Sequence, residues 1–330
     1  MLVLRDISEL KELGEGPLAL TIGFFDGVHR GHRYLLQRLR AQAALLGARS
    51  LVVTFSNSPR GYHHPERHWR YLSLPEEKLA LLSESGVDAT LMLHYGADVA
   101  RQSASEFLKG LAGPAPLAGI TMGYDSSIGC DMLRGREAFS ALAQRLGLAL
   151  DFVEPFPPQT EPVKSSAIRE LIAAGDVALA LQLLGHPYFL TGQVDSGKGK
   201  GGQKLGTPTA NLYVPQEKLT PPTGVYAGAA DSLAGRFAAA ICVITRQQAL
   251  RTVLERDDAL LPPHEDPTAV VVEAHLIGFH GDLYSTTVTV QFLARLRDFR
   301  DFATPAELIA QIERDIAAAR AIYAETAASH

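Results

Sequence analysis

Short apolar runs alternate with amphipathic, helix-sized segments through the first half of the chain. "PLALTIGFF" and "RSLVVTF" are rich in β-branched and other apolar residues, whereas "GHRYLLQRLRAQAALLG" and "REAFSALAQRLG" have the 3.6-residue spacing of helices with one apolar face. Strands separated by helices indicate an α/β fold with a parallel, doubly wound sheet. Such sheets bind ligands at the carboxyl ends of their strands.

The pattern changes after the proline-rich segment "VEPFPPQTEP". Two helical segments follow, "AIRELIAAG" and "VALALQLLG", and from Leu190 onward short alternating strands are separated by turn residues. The helix "PAELIAQIERDIAAARAIYAE" closes the chain. This second part predicts a small β-barrel with a C-terminal helix. We therefore expect two domains, residues 1–180 and residues 181–330.

Composition narrows the function classes. The chain of 330 residues has a net charge of −5 and contains no lysine or arginine tract, which argues against a broad nucleic-acid interface. We see no signal peptide and no apolar run of membrane-spanning length, so a soluble cytoplasmic protein without a membrane partner is expected. Cys130 and Cys242 lie far apart in sequence and are expected to be buried apolar residues without a disulfide. An oligomer is compatible with the sequence.

Two histidines, His29 and His32, lie where the first strong strand passes into a helix, in "TIGFFDGVHRGH". The glycines of this corner let backbone N–H groups and a helix N-terminus face one anion. Two imidazoles placed there can donate hydrogen bonds to phosphate oxygens during nucleotidyl transfer. The alternative is a pair of solvated histidines in a first helical turn.

The second half offers the chemistry of phosphoryl transfer. Thr209 and Asn211 of "PTAN" supply oxygen ligands suited to Mg²⁺. The glycines of "GKGKGGQKLG", which ends at Gly206, form a loop that could close over phosphates or serve as a plain linker. Glu273 lies within "AVVVEAHLIGF", where alternation leaves solvent exposure and a general base equally open.

Five of these motifs occur in the order seen in one known family. "TIGFFDGVHRGH", "KSSAIRELIAAGDVALALQLLGHPY", "LGTPTANL", "GVYAG" and "VVVEAHLIGF" resemble segments of the bacterial bifunctional riboflavin kinase/FAD synthetase. The resemblance spans nearly the whole chain. It implies an N-terminal Rossmann-like nucleotidyltransferase domain and a C-terminal six-stranded flavokinase barrel. The implied reactions use ATP and Mg²⁺ to convert riboflavin to FMN and FMN to FAD.

The resemblance also implies roles for single residues. His29, His32 and Glu273 become catalytic, Glu273 as the general base, and Thr209 and Asn211 hold the metal and the nucleotide. The remaining residues expected to bind nucleotide are Gly23, Phe24, Asp26, Asp125, Ser165, Ser166, Arg169 and Gly206.

Several positions depart from the family pattern. "GYDSSIG" has Ser126 and Ile128 in place of two aromatic residues, Pro162 stands where an arginine is expected, and Ser58 replaces a histidine. These departures fall on the acceptor and phosphate side of the first domain. The alternative function is therefore a riboflavin kinase whose first domain is weakened, uses another nucleotide or acceptor, or has a regulatory binding role. A noncatalytic flavin-binding protein is a third, weaker reading.

Overall fold

The computed structural model describes residues 1–67, 69–156, 162–194, 209–245, 248, 270–281 and 283–328. The chain divides into two compact units, Met1–Ser165 and Ser166–His330.

The first unit contains a parallel sheet, which confirms the predicted fold class. Its six strands run in the order β1-β4-β3-β2-β5-β8, and every neighbouring pair is parallel. A two-stranded antiparallel hairpin, β6–β7, lies apart from this sheet. The strands of this unit are β1 (Leu2–Leu4), β2 (Leu18–Ile22), β3 (Arg49–Phe55), β4 (Ala89–Leu93), β5 (Leu117–Gly123), β6 (Ser127–Ile128), β7 (Leu133–Arg134) and β8 (Ala149–Val153).

Helices connect these strands. Strands β2 and β4 are buried at every position, as expected for central strands covered on both faces. Local capping sets where several helices begin: Ser103 and Glu106 form a capping box at α5, and Pro75 occupies the first turn of α3. The helices are α1 (Arg30–Leu45), α2 (Pro59–His63), α3 (Pro75–Ser83), α4 (Ala97–Ala100), α5 (Ala104–Ala112) and α6 (Arg136–Leu146), with a 3₁₀ helix at Ile7–Leu13.

The second unit is built on a closed barrel, again as predicted. Its strand order is β10-β13-β12-β11-β14-β9, and pairing of β9 with β10 closes the circle. Inward-facing positions such as Ala239, Ile241 and Val243 are completely buried and alternate with less buried neighbours. The strands are β9 (Tyr188–Val194), β10 (Ala210–Tyr213), β11 (Gly224–Ser232), β12 (Gly235–Thr245), β13 (Val270–Leu276) and β14 (Thr287–Arg297).

Three helices complete the description, namely α7 (Ser165–Ala174), α8 (Val177–Leu184) and α9 (Pro305–Ala328). Helix α9 packs on β11, β12 and β14, and α8 packs on β9 and β14. These contacts of α8 place it with the barrel, and the second unit begins at Ser166, ahead of the boundary at residue 180 that the sequence suggested. That boundary stays a prediction.

The cysteines differ in part from expectation. Cys130 is exposed, which corrects the expectation that it is buried, and Cys242 is intermediate in exposure; both are free thiols. Cys130 is exposed because it lies in the turn after the β6 strand, outside the periodic elements. Among the described residues, no helix is both long and apolar enough to cross a membrane.

Candidate active sites

The segment between β2 and α1 forms a strained corner. Its first residue, Gly23, donates its N–H to the carbonyl of Val53 on β3 at 3.0 Å. Gly27 has φ = 76°, and two residues with side chains, Phe25 (φ = 53°) and Val28 (φ = 37°), also take positive φ. A side chain in this backbone region costs free energy, so the surrounding structure must hold it there.

Hydrogen bonds to the Asp26 side chain help to stabilise this corner. Its carboxylate is buried and accepts the backbone N–H groups of Leu72 and Ser73 at 3.2 and 3.0 Å. The Ser73 hydroxyl in turn accepts the N–H of Gly27 at 2.9 Å. The structure thus shows Asp26 tying the corner to the segment before α3. Its predicted nucleotide contact stays a prediction.

The two histidines lie together at the start of α1. His29 is the N-cap residue, and its Nδ1 accepts the N–H of His32 at 3.3 Å, so a proton on this ring sits on Nε2. The two rings stack with centroids 3.6 Å apart and 17° between their planes. The two histidines of this His-x-x-His motif therefore lie side by side at the start of α1. The hydrogen bond from the backbone N–H of His32 fixes the orientation of the His29 ring.

His32 is held as an uncharged imidazole. Its pKa is well below the ordinary value, chiefly because of burial and further because His29 and Lys78 lie near it. Its Nδ1 atom is buried and has no hydrogen-bond partner among the described residues. The Phe25 ring packs edge-on against the imidazole ring, with centroids 5.1 Å apart. A buried polar atom without a partner is uncommon in folded proteins because it costs free energy.

One open pocket brings several of the expected residues together. His29, His32 and Asp125 all line it, with Asp125 contributed by the turn after β5. Tyr124 lines the same pocket, and its hydroxyl is buried with no hydrogen-bond partner in the described part of the chain. Burial, and then the charge of Asp125, raises the pKa of Tyr124. The carboxyl edge of the parallel sheet thus gathers imidazole, carboxylate and phenol groups in one concavity.

The departures from the family pattern have local structural roles. The Ser126 hydroxyl accepts the N–H of Gly123 at 3.0 Å, and Ile128 is buried in the hydrophobic core. Ser58 is the N-cap of α2 and accepts the N–H of Gly61 at 3.2 Å. Pro162 lines the pocket described above. None of these four side chains can supply the ring or the charge that the pattern has there.

In the segment of Ser165, Ser166 and Arg169, the residue that contacts the corner is Ser165. The Ser165 hydroxyl donates to the Asp26 carbonyl at 3.1 Å, which ties the start of α7 to the corner. Ser166 and Arg169 lie further along α7 and belong to the second compact unit. Their predicted role in holding a triphosphate stays a prediction.

A second group of functional side chains lies on the barrel. Asn211 on β10 pairs directly with Glu273 on β13, and Glu273 pairs with Cys242 on β12. The three alternate with inward-facing residues such as Leu212 and Val272, so they form one row across the outer face. Burial, and then the charge of Glu273, raises the pKa of Cys242 to about 12.

Asn211 and Thr209 are the residues of this segment expected to hold a metal. The Oδ1 atom of Asn211 is buried and has no hydrogen-bond partner among the residues that the structure describes. Thr209, immediately before β10, is exposed. Gly206 lies outside the described residues. No group of three or more histidine, cysteine or acidic residues suited to a metal occurs in the part of the chain that the structure describes.

The comparisons with known proteins agree with this division into two sites. A family model described as FAD synthetase matches residues 13–167, and one described as riboflavin kinase matches residues 184–323. The "Bifunctional riboflavin kinase/FMN adenylyltransferase" of Pseudomonas fluorescens is 33% identical over 328 residues and covers 99% of each chain. The chain belongs to the bifunctional riboflavin kinase/FMN adenylyltransferase family.

Other members of this family are similar to the chain over most of its length. The Escherichia coli K12 protein of that name is 29% identical, with 99% of each chain covered, and the Bacillus subtilis protein is 28% identical, with 90% of this chain and 89% of its own covered. A crystal structure titled as a macrolide-efflux protein from Streptococcus pneumoniae aligns with a TM-score of 0.82 at 24% identity. It covers 97% of this chain and 99% of its own. That likeness supports the fold.

Sequence reasoning missed three residues that lie in or beside the two candidate sites. Lys78 lies buried behind the corner, Tyr124 lines the pocket, and Cys242 adjoins Glu273. Lys78 reads as an ordinary polar position in the amphipathic segment "PEEKLALL". Tyr124 gave a weak signal, because it immediately precedes the expected Asp125. Cys242 could be related to Glu273 only through the register of two strands, which depends on the tertiary structure.

Proposed function

We propose that this protein is a bifunctional transferase that phosphorylates riboflavin with ATP to form FMN and then adenylylates FMN with a second ATP to form FAD. The observation that supports the proposal is that one chain holds two groups of side chains suited to these reactions. The first is the stacked pair His29–His32 at a helix N-terminus, and the second is the row Asn211–Glu273 on the barrel.

For the kinase reaction, Glu273 is suited to accept a proton. The ribityl 5′-oxygen of riboflavin forms a bond to the γ-phosphorus of ATP, the bond from that phosphorus to the β–γ bridging oxygen breaks, and ADP leaves. The proton of the 5′-hydroxyl goes to Glu273, which is half-buried and directly opposite Asn211. That pairing puts a base beside the groups that would hold the phosphates.

The oxygen atoms of Thr209 and Asn211 fit Mg²⁺. The buried Oδ1 of Asn211, which accepts no hydrogen bond from a described residue, is a hard ligand, and the Thr209 hydroxyl is two residues away on the same segment. Mg²⁺, when bound, would neutralise charge on the ATP phosphates during transfer. Gly206, together with the glycine-rich segment that it ends, is proposed to cover those phosphates.

For adenylyl transfer, His29 and His32 are proposed to stabilise charge on the α-phosphate. A phosphate oxygen of FMN forms a bond to the α-phosphorus of ATP, the bond to the α–β bridging oxygen breaks, and pyrophosphate leaves. The capped, stacked imidazoles and the N-terminus of α1 face that charge together. Gly23, Phe24, Asp26, Asp125, Ser165, Ser166 and Arg169 are proposed to shape or contact the nucleotide site.

A second candidate is favoured by the loop after β5. Because Ile128 is buried in the core and Ser126 is bonded to Gly123, neither position offers a ring to the acceptor. Under this candidate the kinase is active, but adenylyl transfer is slow or uses another nucleotide or acceptor. Orientation of the acceptor contributes several kcal/mol to such reactions, so the loss of a stacking surface would lower the rate.

The deciding experiment incubates the full chain with riboflavin, ATP and Mg²⁺ and identifies the flavin products by mass. FAD as the main product supports the bifunctional proposal. Accumulation of FMN supports the second candidate, which is then tested by supplying FMN with each of the common nucleoside triphosphates and measuring pyrophosphate release with and without flavin. Absence of FMN and FAD in all these reactions would contradict both.

A further inference from the structure

His275 is the second polar residue of β13, and the kinase reaction proposed above does not use it. It lies two residues after Glu273 in "VVVEAHLIGF" and is half-buried, as Glu273 is. Burial alternates along this strand, because Val272, Ala274 and Leu276 turn into the barrel. Side chains two residues apart on a strand share a face, so Glu273 and His275 lie together on the outer face.

The register of β10 and β13 brings His275 to the same position along the barrel as Thr209. The two strands are antiparallel, and Asn211 pairs with Glu273. One residue beyond this pair an alanine of each strand is paired, and one residue further lie Thr209 and His275. Residues that face each other across antiparallel strands have Cβ atoms about 5 Å apart. Thr209 and His275 are therefore close neighbours.

Two cross-strand pairs thus form one polar patch on the outer face. Its members are Thr209, Asn211, Glu273 and His275. Successive outward side chains on a strand lie about 7 Å apart, and those facing each other across the pair about 5 Å apart. A single phosphate group above this patch is within reach of all four side chains. Three of them already have proposed roles in phosphoryl transfer, and the fourth is His275.

The neighbour of His275 on the opposite side is small and apolar. On β12, Ala240 pairs with His275, whereas Cys242 pairs with Glu273. An alanine side chain neither donates nor accepts a hydrogen bond. The polar cross-strand neighbour of His275 is therefore Thr209, on the strand that carries the groups proposed to hold Mg²⁺ and the nucleotide.

An imidazole at this position suits a phosphate oxygen better than a metal. Mg²⁺ prefers oxygen ligands, which Thr209 and Asn211 supply. During phosphoryl transfer, negative charge is spread over the oxygens of the transferred group, and hydrogen-bond donors aimed at them stabilise the transition state. Imidazole carries at least one N–H in either protonation state, so His275 can be such a donor.

We propose that His275 is a further catalytic residue of the riboflavin kinase site, which donates a hydrogen bond to an oxygen of the phosphoryl group as it passes from ATP to riboflavin. The inference rests on the proposed kinase function of the second unit. It gives neighbouring outward positions of β13 different tasks. Glu273 accepts the proton of the 5′-hydroxyl, and His275 keeps its own proton and stabilises charge on the phosphate.

The first test places His275 relative to the nucleotide without turnover. The imidazole C–H signals of the full chain are recorded by NMR, and the His275 signal is identified among 11 histidines by its loss in His275→Gln. A nonhydrolysable ATP analogue with Mg²⁺ should shift this signal, and ADP with Mg²⁺, which lacks the γ-phosphate, should shift it less. A signal that ignores the analogue, responds equally to ADP or responds only to riboflavin would overturn the proposal.

The second test measures the contribution of the donor to the reaction. His275→Leu occupies similar space without an N–H, so kinase turnover at saturating ATP should fall about 10-fold or more. His275→Gln keeps a donor and should recover part of that loss, with the same midpoint of thermal unfolding as His275→Leu. Wild-type turnover in His275→Leu, or equal losses in the two variants, would show that the N–H takes no part in the reaction.

Controls separate this inference from the function on which it rests. His280→Gln, at an exposed position after β13, should change neither the His275 signal nor kinase turnover. FAD formation from supplied FMN, proposed for the first unit, should be the same in every variant. If His275→Leu does not fold, His275→Ala replaces it, and failure of both to fold would make the imidazole a structural residue and the proposal wrong. A wild-type chain that makes no FMN would contradict the kinase function, whereas the NMR response would still decide whether His275 lies at the nucleotide phosphates.

Discussion

At the scale of single residues, the backbone sets the position of the candidate side chains in both units. His29 caps α1 and is fixed by the N–H of His32, and Asn211 lies opposite Glu273 because two antiparallel strands pair in that register. Within the part of the chain that the structure describes, both arrangements leave a buried polar atom without a partner, on His32 and on Asn211. A ligand at each site would satisfy these atoms.

Glu273→Gln tests the base in the kinase site. The amide keeps the size of the side chain but cannot accept the proton of the 5′-hydroxyl, so we expect kinase turnover to fall about 10²-fold or more with nucleotide binding nearly unchanged. FMN formation from riboflavin is measured at saturating ATP, and nucleotide affinity by calorimetry. FAD formation from supplied FMN serves as the control. Wild-type kinase turnover in this variant would remove Glu273 from the mechanism.

His29→Ala and His32→Ala test the opposite half of the chain. Each removes a group proposed to stabilise charge on the α-phosphate, so FAD formation from FMN should fall at least about 10²-fold. Riboflavin kinase activity should remain, which makes these variants and Glu273→Gln controls for one another. Rapid FAD formation by either variant would show that the histidine pair does not stabilise charge during adenylyl transfer.

At the scale of elements, close approach of strands decides where glycine is required in the barrel. A Cβ on Gly228 of β11 would lie 2.0 Å from the carbonyl oxygen of Gln291 on β14 and 2.6 Å from Cδ1 of Ile241. The register between β11 and β14 shifts at this residue. The barrel therefore closes with two backbones in contact at Gly228, and sequence periodicity carries no signal for such an approach.

Gly228→Ala should lower the stability of the second unit by about 1–3 kcal/mol, because a strand of the barrel must move to admit the methyl group. The measurement is the midpoint of thermal unfolding, with kinase activity after heating as a readout specific to the barrel. Gly110→Ala is the control. A Cβ added at this position on α5 would meet no described atom within 4 Å outside its own helix turn, so the change should be neutral or slightly stabilising. Equal midpoints for both variants would contradict the packing described for β11.

At the scale of the whole molecule, two compact units each carry a core of their own. The first buries both faces of a parallel sheet, and the second fills a closed barrel and adds α8 and α9 to its outer surface. Because α8 packs on β9 and β14, the unit that carries the kinase site begins ahead of the first barrel strand. This extends the second unit beyond the segment with a strand pattern.

Two C-terminal fragments test this division. Residues 166–330 should fold and retain riboflavin kinase activity, since the unit has its own core. Residues 185–330 lack the buried side chains of Val177, Ala180 and Leu184, so this fragment should unfold several degrees lower. Both are compared by thermal unfolding and by FMN formation. An inert longer fragment, or equal midpoints, would place the boundary elsewhere.

The sequence by itself determined the fold class, the barrel and the family, because periodicity and ordered local motifs survive without knowledge of contacts. It also predicted roles for His29, His32, Asn211 and Glu273, each of which lies within a short motif, and those roles stay predictions. Only the tertiary structure decided that Lys78 is buried against Phe24, that Cys242 adjoins Glu273 and that Asp26 bonds to the backbone of residues 72 and 73. These relations join residues far apart in the chain, and burial, strand register and electrostatic coupling arise only when the elements pack together.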